Sequence, residues 1–335
     1  MNKILIIDPG KGWGQFVSKM YCYQKLANHQ NSKIVFLTKK STQAEHYLKP
    51  CSFCEDVIYL DESKRGIKNI LTNIKSLIKN IQKINKFNFK ICYVFHPSLR
   101  YLFIANFSNI KNVWGLGFKF QNFFLKKHKK FYLSFFSKTK GDNEALEFIK
   151  KITLSDKIEY KPLFSMNHSL RDTVGIIIAA SGSAKRWSIE NYLEVMQFLK
   201  EKNFKKFLII SGLDQSKDED LIKEKFKDDI EIIYTSDKKI NEVIPYLEKC
   251  KFCIGNDTGF SHLSVNLDIE TLVIYGDCPP QFYSDLIKHI EIDPLVAQSS
   301  ISIHTIRTEK VLKELSKFLD RRGGRAVEGA HLESV

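Results

Sequence analysis

The chain of 335 residues contains no apolar run long enough to cross a membrane. Its first apolar segment, within residues 1–8, is far too short for a signal peptide, and no later stretch approaches the about 18 apolar residues of a membrane span. Hydrophobic residues nevertheless make up 43% of the chain, enough for a sizeable core and two domains. We therefore expect a soluble, cytoplasmic, globular protein.

Cysteine occurs in an odd number, seven, which favours a reducing compartment over a disulfide framework. Cys51 with Cys54, and Cys250 with Cys253, have the spacing of zinc-ligand pairs. The two pairs stand in opposite halves of the sequence, whereas zinc ribbons separate their pairs by only about 15–20 residues. The sequence therefore predicts no metal site.

The glycine-rich loop after the first apolar run lacks both common phosphate-binding motifs. The dinucleotide motif starting at Gly10 would need glycine at Gln15, and the P-loop sequence Gly-Lys-Ser/Thr is absent. Gly12 and Gly14 still allow a turn that brings a substrate close to backbone N–H groups.

Short apolar runs alternate with helical periodicity along most of the chain. The helical spacing i, i+3, i+4, i+7 is clear over residues 67–81 and again over 307–319. This alternation is typical of βαβ units and predicts an α/β fold with parallel sheets. The predicted strands are 3–8, 33–37, 91–95, 174–180, 206–211, 231–234, 251–255 and 271–275.

The alternation stops in a basic and aromatic region and restarts at Val174, which predicts two domains joined between residues 155 and 172. We place the amino-terminal domain at 1–165 and the carboxyl-terminal domain at 166–320. Residues 321–335 lose the apolar periodicity and are predicted to be a vector-derived or disordered tail.

Two polar segments, 180–187 and 255–262, each follow a predicted strand and precede a predicted helix. Ligands of open α/β sheets bind at such strand ends, where helix N-termini offer free N–H groups to anions. In the first segment, the hydroxyls of Ser181 and Ser183 and the ammonium of Lys185 suit a diphosphate. The alternative is a solvated loop in which Ser188 caps the next helix.

In the second segment, Asp257, Thr258 and His262 are expected to face a ligand, while Gly259 lets it approach the backbone. Asp257 alternatively serves only as a helix N-cap. The triplet Asp257-Thr258-Gly259 also occurs in aspartic proteases, but those enzymes are all-β and use paired carboxylates, whereas this chain has one triplet in an α/β pattern.

Residues 118–132 combine lysines with phenylalanines, within a net charge of +14. Such a stretch suits an anionic membrane surface or a phosphorylated lipid. No nucleic-acid motif accompanies it, so nucleic acid is not expected as a partner. A solvated loop over an aromatic cluster remains the structural alternative.

Taken in order and spacing, the two polar segments resemble those of the bacterial heptosyltransferases, the ADP-heptose:lipopolysaccharide transferases of glycosyltransferase family nine. Residues 181–192 resemble the family's Lys-x-Trp-Pro segment and the helix after it. Residues 256–262 resemble its Asp-Ser/Thr-Gly-x-x-His segment, and Tyr275-Gly276 its Tyr/Phe-Gly strand end. The resemblance is clear over about 174–285.

The resemblance implies the GT-B architecture, in which two Rossmann-like domains face each other across a cleft, and a metal-independent inverting reaction without a cofactor. It implies that the carboxyl-terminal domain holds the nucleotide-sugar donor. Ser181, Ser183 and Lys185 would then bind the diphosphate, with the nucleotide sugar beside Asp257, Thr258, Gly259 and His262.

The family's general base lies in an amino-terminal Gly-Asp pair, where this chain has Gly14-Gln15. A glutamine amide cannot act as a general base. Asp8 or His96, both after predicted strands, are candidate replacements, and we predict Asp8; alternatively Asp8 only caps the glycine turn.

The sequence thus predicts transfer of heptose from ADP-heptose onto a lipopolysaccharide core or another surface glycan. The expected partners are a nucleotide sugar and an anionic lipid-linked or glycan acceptor, with peripheral contact at the cytoplasmic face of the inner membrane. Alternatives are a nucleotide-sugar epimerase of the same fold, or a weakly active nucleotide-sugar-binding protein without the usual base.

Overall fold

The computed structural model of the chain describes residues 2–10, 12–62, 69–117, 119–124, 129–133, 144–154, 163, 171–182, 185–227, 229–276, 280, 283–290 and 303–332. The chain forms two compact units, Met1–Phe164 and Ser165–Val335. The sequence-based boundary at residue 165 lies next to this division. None of the helices in the described part of the chain has both the length and the apolarity needed to cross a bilayer.

The first unit is a parallel sheet with helices between its strands. The strands are β1 (Lys3–Ile7), β2 (Lys33–Thr38), β3 (Cys54–Tyr59), β4 (Phe89–Val94), β5 (Asn112–Leu116) and β6 (Lys129–Leu133). The helices are α1 (Trp13–Val17), α2 (Met20–Gln30), α3 (Glu45–Leu48), α4 (Ile70–Asn85), α5 (Leu99–Phe107) and α6 (Glu144–Thr153). The strand order is β3-β2-β1-β4-β5-β6.

The second unit repeats this architecture. The strands are β7 (Thr173–Ile177), β8 (Lys206–Ile210), β9 (Glu231–Tyr234), β10 (Cys250–Asn256), β11 (Thr271–Ile274) and β12 (Ile287–Ile290). The helices are α7 (Ile189–Glu201), α8 (Ser216–Lys225), α9 (Ile240–Leu247), α10 (Gly259–Asn266) and α11 (Thr308–Leu332). The strand order is β12-β11-β10-β7-β8-β9.

The central strands are largely apolar because helices cover both faces of each sheet. In β1, Ile4, Leu5, Ile6 and Ile7 are all fully buried. In β10, the side of Gly255 that would carry a Cβ lies only 2.2 Å from the carbonyl oxygen of Ile177 in β7. A side chain cannot be accommodated there, which explains the glycine.

The strand order places the predicted site residues where ligands of such sheets bind. The order reverses between β1 and β4 in the first unit and between β7 and β10 in the second. Asp8 directly follows β1 and His96 lies just beyond β4. The two polar segments follow β7 and β10. Ligands of doubly wound sheets bind at the carboxyl ends of strands at this reversal.

The strands that the sequence did not predict lie at or beside the sheet edges. β3, β6 and β12 are edge strands, and β5 lies next to the edge. β3 contains Glu55 and Asp56, and β12 contains Lys288 and His289. Because an edge strand tolerates charged and polar side chains, these strands lack the continuous apolar run by which the others were predicted.

The predicted end of the last helix is wrong. Helix α11 continues to Leu332, so Arg321 and Arg322 belong to it and not to a separate tail. Arg322 pairs with Glu270, and its guanidinium lies 5.5 Å from the ring centroid of Phe318. Apolar periodicity does not predict this extension of the helix, because arginine packs through its hydrocarbon stem and its charge and is not counted as an apolar residue.

Candidate functional site

The loop after β7 approaches the end of β10 through a tight turn at Gly182. Gly182 has φ +100°, in the left-handed region that only glycine adopts without strain. The N–H of Lys185 donates to the carbonyl of Gly182 at 3.2 Å. Ser181 is exposed on this turn, and Ser183 lies outside the described residues. The turn therefore presents Lys185 at the end of the strand.

Asn256, the last residue of β10, joins the two polar segments. It is completely buried. Its Nδ2 donates to the carbonyl of Ile178 at 2.8 Å, and its Oδ1 accepts from the N–H of Trp187 at 3.1 Å and from the hydroxyl of Tyr192 at 2.9 Å. A single amide thereby fixes the end of β7, the loop after it and the start of α7 relative to β10.

Trp187 anchors the other end of the loop. It is 3% exposed, its indole N–H donates to the carbonyl of Ile306 at 2.8 Å, and its ring meets Tyr192 edge-on at 5.1 Å. Ser188 then caps α7 by accepting from the N–H of Asn191. The capping role predicted for Ser188 is confirmed. It leaves Lys185 available to the site, since the cap and the lysine are separate parts of the loop.

The adjacent arginine is used differently from Lys185. Arg186 donates to the carbonyl of Ala180 through Nε at 3.2 Å and Nη2 at 3.1 Å, and it also pairs with Asp214. These contacts hold the turn closed. Lys185 is thus the cation of this loop that extends toward the second polar segment.

Asp257 is the electrostatic centre of the site. Its Oδ2 lies 3.8 Å from the Lys185 ammonium, and its Oδ1 lies 3.3 Å from Nε2 of His262. Burial by itself raises the pKa of Asp257, but the hydrogen bond from His262 and the charges of His262 and Lys185 outweigh burial and lower it below its ordinary value. The carboxylate therefore stays ionised at neutral pH.

The ring of His262 is oriented by Tyr283, whose hydroxyl lies 2.9 Å from Nδ1. With its proton on Nε2, the imidazole donates to Asp257 and accepts from Tyr283. His262 is 6% exposed, so its ring is held in place by these two contacts within the protein. His262 thereby holds the Asp257 carboxylate in a fixed position at the end of β10.

Thr258 and Gly259 form the N-terminus of α10. The N-cap residue is Thr258, with φ −140° and ψ 173°, so the alternative in which Asp257 is the N-cap is wrong. The Thr258 hydroxyl oxygen is buried and has no hydrogen-bond partner among the described residues. Together with the N–H groups of the first helical turn, it makes this end of α10 suitable for an anion.

Asp8 in the first unit is already fully engaged. It is 1% exposed, its Oδ1 accepts from the N–H of Gly10 at 3.1 Å, and its Oδ2 accepts from the hydroxyl of Tyr23 at 2.5 Å and from Lys19. The contact with Gly10 is the turn cap that the sequence offered as the alternative. The role of Asp8 as base stays a prediction, and it requires one of these donors to be released.

The other predicted acceptor-side residues have more open surroundings. Gly12 is the N-cap of α1 in an extended conformation, and nothing lies within 4 Å of the position a Cβ would take. Gly14 and Gln15 lie within α1, where Gln15 is exposed. His96 accepts from the N–H of Ser98 on Nδ1 at 3.1 Å, which leaves the proton of the neutral ring on Nε2.

The cysteine pairs lie one in each unit. Burial raises the pKa of Cys54 to about 12, so this thiol stays protonated at neutral pH. Within the part of the chain that the structure describes, no group of three or more histidine, cysteine, aspartate or glutamate side chains is arranged to hold a metal ion.

Sequence reasoning missed several residues that build the site. Asn256 was recognised as part of a motif, but its hydrogen bonds to both polar segments were not predicted. The signal that could have revealed them is the amide itself, because a polar side chain at the end of a buried strand needs hydrogen-bond partners. No sequence pattern pointed to Tyr283 as a residue of the site. Glu219, 4% exposed, accepts from the hydroxyls of Ser211 and Ser236 beyond β8 and β9, and places a buried carboxylate at the same edge of the sheet.

The family model and several similar solved structures point to glycosyltransferase family 9. The model of glycosyltransferase family 9 (heptosyltransferase) matches residues 132–314, more than half of the chain. E. coli ADP-heptose lps heptosyltransferase II is similar in structure with a TM-score of 0.71 and 16% identity, over 96% of this chain and 99% of that chain. E. coli heptosyltransferase WaaC with ADP-2-deoxy-2-fluoro heptose has a TM-score of 0.68 and 13% identity, over 94% and 99%.

A glycosyl transferase family 9 structure from Veillonella parvula DSM 2008 is also similar, with a TM-score of 0.71 and 16% identity over 96% of this chain and 97% of that chain. At such low identities the likeness establishes the fold, which is that of the GT-B glycosyltransferases. The comparison with curated protein sequences found no match.

Proposed function

We infer the function from one premise: this chain belongs to glycosyltransferase family 9 and is a glycosyltransferase. We propose that it moves heptose from ADP-heptose onto a lipopolysaccharide core or another surface glycan. The observation that carries this proposal is the grouping of the Lys185 ammonium, the Asp257 carboxylate and the N-terminus of α10 at the ends of β7 and β10. WaaC has been solved with an ADP-heptose analogue, and we propose a donor of the same class here.

The donor diphosphate is assigned to the cation and hydrogen-bond donors of the second unit. Lys185, Ser181, Ser183, the Thr258 hydroxyl and the first N–H groups of α10 would neutralise it, and no metal or cofactor is part of the proposal. Asp257 and His262 would hydrogen-bond the sugar hydroxyls, with Gly259 admitting the ligand close to the backbone.

The proposed reaction inverts the configuration at the sugar C1. A base removes the proton of the acceptor hydroxyl, the acceptor oxygen forms a bond to C1, and the bond from C1 to the diphosphate oxygen breaks. The electron pair leaves with ADP, whose charge Lys185 stabilises. We keep Asp8 as the proposed base, acting once Lys19 or Tyr23 has released its carboxylate.

The first unit is assigned to the acceptor. Gly12, Gly14, Gln15 and His96 lie around the carboxyl ends of β1 and β4 and would meet an anionic lipid-linked or glycan acceptor. Within the basic stretch 118–132, Phe120 and Phe123 are exposed, and we propose that this stretch touches the membrane. We propose no nucleic-acid partner.

A second candidate function is nucleotide-sugar binding with little or no turnover. One observation favours it: Gln15 occupies the position expected for the base, while the carboxylate of Asp8 is buried and fully hydrogen-bonded. This candidate predicts ADP-sugar binding in calorimetry without release of ADP, whereas the transferase predicts both.

The deciding experiment measures donor binding by thermal shift and calorimetry with ADP-, UDP- and GDP-sugars. ADP-sugars should raise the unfolding temperature most, because binding to the folded state alone stabilises it. Lys185→Ala should weaken ADP binding by roughly 10- to 100-fold, the value of a charged hydrogen bond. Lys217→Ala, an exposed lysine of α8, is the matched control.

Two results would overturn the assignment. A clear preference for UDP- or GDP-sugars would refute the ADP-heptose donor while leaving the fold untouched. Unchanged ADP affinity in Lys185→Ala would refute the diphosphate pocket itself. Addition of EDTA should leave donor binding and turnover unchanged, because the proposed charges on the diphosphate are met by protein groups alone.

A further inference from the structure

Helix α4 carries an apolar face that points away from the protein. Ile70 is 53% exposed, Leu71 76%, and Ile74 and Ile78 48% each. The spacing of these residues puts them on one side of the helix, which we call the outer apolar face. The largest apolar patch on a typical monomeric protein covers a few hundred Å² and is often functional.

The opposite side of α4 faces the protein, where polar contacts lie beside Leu77 and Ile84, which pack against the core. Asn80 is fully buried, accepts from the N–H of Asp61 at 2.9 Å and donates to the carbonyl of Asp61 at 3.1 Å. Ser76 also donates to that carbonyl. Lys83 pairs with the Asp61 carboxylate at 2.6 Å and donates to the carbonyl of Tyr59 at 2.8 Å. These contacts fix the rotation of the helix about its axis.

A neighbouring helix reinforces this orientation. The guanidinium of Arg100 in α5 donates to the carbonyl of Asp61 at 2.8 Å and to the Ser76 hydroxyl at 3.2 Å. Since the inward contacts are specific and directional, the outward position of the four apolar side chains is a consequence of the fold and not of a loosely packed helix.

The charge beside the outer apolar face indicates what it binds. Lys75 and Lys79 are exposed one turn apart along its border, and exposed Lys86 follows the end of the helix. Helix α4 contains no aspartate or glutamate. An apolar face bordered by lysines is the pattern of helices that lie in the interface of an anionic membrane.

A second copy of the chain is a poorer occupant for two reasons. Four half-exposed side chains offer a few hundred Å², below the about 800 Å² that each partner buries in a stable protein interface. Symmetric pairing would also bring the lysine rows of two chains of net charge +14 toward each other.

We propose that the outer apolar face of α4 docks on the surface of an anionic lipid bilayer. The four apolar side chains enter the boundary between headgroups and acyl chains, while Lys75 and Lys79 meet lipid phosphates. The docking surface on α4 is separate from the basic stretch 118–132 that we propose to touch the membrane, and binding to vesicles needs neither donor nor acceptor. A failure of the docking is therefore distinguishable from a failure of the proposed function.

The test compares variants of the full chain by sedimentation with vesicles. The vesicles contain phosphatidylethanolamine with phosphatidylglycerol, or phosphatidylcholine alone. Ile74→Gln/Ile78→Gln should lower the partition coefficient on anionic vesicles at least about tenfold, because two apolar side chains no longer enter the bilayer. The matched control Leu213→Gln/Leu221→Gln removes two exposed apolar side chains of the second unit and should bind like the parent.

The electrostatic part is tested separately. Lys75→Gln/Lys79→Gln should lower binding roughly tenfold at low salt and much less at high salt, while Lys217→Gln/Lys225→Gln in α8 should have little effect. Far-ultraviolet circular dichroism and thermal unfolding verify that each variant is folded.

Three outcomes would overturn the proposal. The first is equal binding of Ile74→Gln/Ile78→Gln and the parent to anionic vesicles. The second is binding of the parent to phosphatidylcholine as strong as to the anionic mixture. The third is no vesicle binding at all, together with a dimer in sedimentation velocity that Ile74→Gln/Ile78→Gln dissociates, which would make a second copy the occupant.

Discussion

Replacing Asn256 by leucine tests whether one buried amide holds the donor site together. The change keeps the approximate size of the side chain but removes its hydrogen bonds to the carbonyl of Ile178, the N–H of Trp187 and the hydroxyl of Tyr192. Each of these groups is buried or next to a buried group, and leaving a buried polar group without a partner costs about 1–3 kcal/mol.

The structure allows a magnitude for this change. Tyr192 retains a partner, since its hydroxyl also lies 3.2 Å from the carbonyl of Ile177. The carbonyl of Ile178 also keeps a partner, because the side-chain amide of Gln215 donates to it at 3.0 Å. Only the N–H of Trp187 then loses its partner, and we expect Asn256→Leu to lower the free energy of unfolding of the second unit by about 1–3 kcal/mol. Tyr192→Phe removes one hydroxyl whose partner Asn256 keeps other contacts, and should cost about 1 kcal/mol.

The assay uses tryptophan fluorescence during urea unfolding. Trp187 is the one tryptophan in the sequence of the second unit, so a background with Trp13→Phe and Trp114→Phe reports on that unit alone. Calorimetry with ADP is run on the same samples. Asn256→Leu should lose ADP affinity even under conditions where the unit remains folded, because the two polar segments are no longer held in register.

The reasoning would be refuted by a loss of stability below about 1 kcal/mol in Asn256→Leu together with unchanged ADP affinity. Such a result would mean that the end of β7 and the end of β10 are positioned by apolar packing alone. A large loss of stability with normal affinity per folded molecule would restrict Asn256 to a structural role.

Three further changes test other parts of the site. Gln15→Asp should raise turnover by at least about 100-fold if a missing base limits the reaction, as measured by ADP release, and Gln15→Asn should not. Asp257→Asn should lose less stability on acidification than the parent. In the parent, the lowered pKa of Asp257 in the folded state stabilises the native state at pH values above the unfolded pKa of about 3.9. This contribution is lost as the pH falls through the folded pKa. Urea unfolding of both proteins from pH 6 down to pH 3 should show their free energies of unfolding approaching each other. A constant difference between the two proteins across this range would contradict the prediction. Gly255→Ala should prevent folding or cost more than about 3 kcal/mol, because its Cβ would meet a backbone oxygen, whereas Gly12→Ala has open space; thermal unfolding compares the two.

Much of the fold follows from patterns that the sequence displays openly. The central strands are predicted because both of their faces are buried and most of their residues are apolar, as in Ile4 to Ile7. Among the described strands, the edge strands β3 and β12 were missed because they contain charged residues, Glu55 and Asp56 in one and Lys288 in the other. The edge strand β9 was predicted because Ile232, Ile233 and Tyr234 form a short apolar run.

In the candidate site, the residue types could be predicted from the sequence, whereas most of the side-chain contacts could not. The residues Lys185, Asp257 and His262 were chosen by type and position, and the structure brings both Lys185 and His262 within 4 Å of the Asp257 carboxylate. That Arg186 closes its own turn and that Asp8 is saturated by Lys19, Tyr23 and Gly10 depends on side-chain geometry, which residue spacing does not encode.

Helix α4 illustrates a limit of periodicity itself. The spacing over 67–81 correctly indicated a helix, observed as Ile70–Asn85. Periodicity identifies two sides of a helix but not which of them is buried. Here the hydrogen bonds of Asn80 and Ser76 to Asp61, together with the packing of Leu77 and Ile84 against the core, fix which side faces inward.

In α4, attachment to the protein and the exposed apolar face depend on different residues, although in an amphipathic helix the two are normally linked. In most such helices the apolar residues that attach the helix are also those that fold it, so they cannot vary freely. In α4 attachment depends on the polar contacts of Asn80, Ser76 and Lys83 and on Leu77 and Ile84, which pack against the core of the first unit. The hydrophobicity of the outer apolar face can consequently change at little cost to folding, because its residues are exposed: Ile70, Leu71, Ile74 and Ile78. Substitutions there can alter the binding properties of this surface without unfolding the protein.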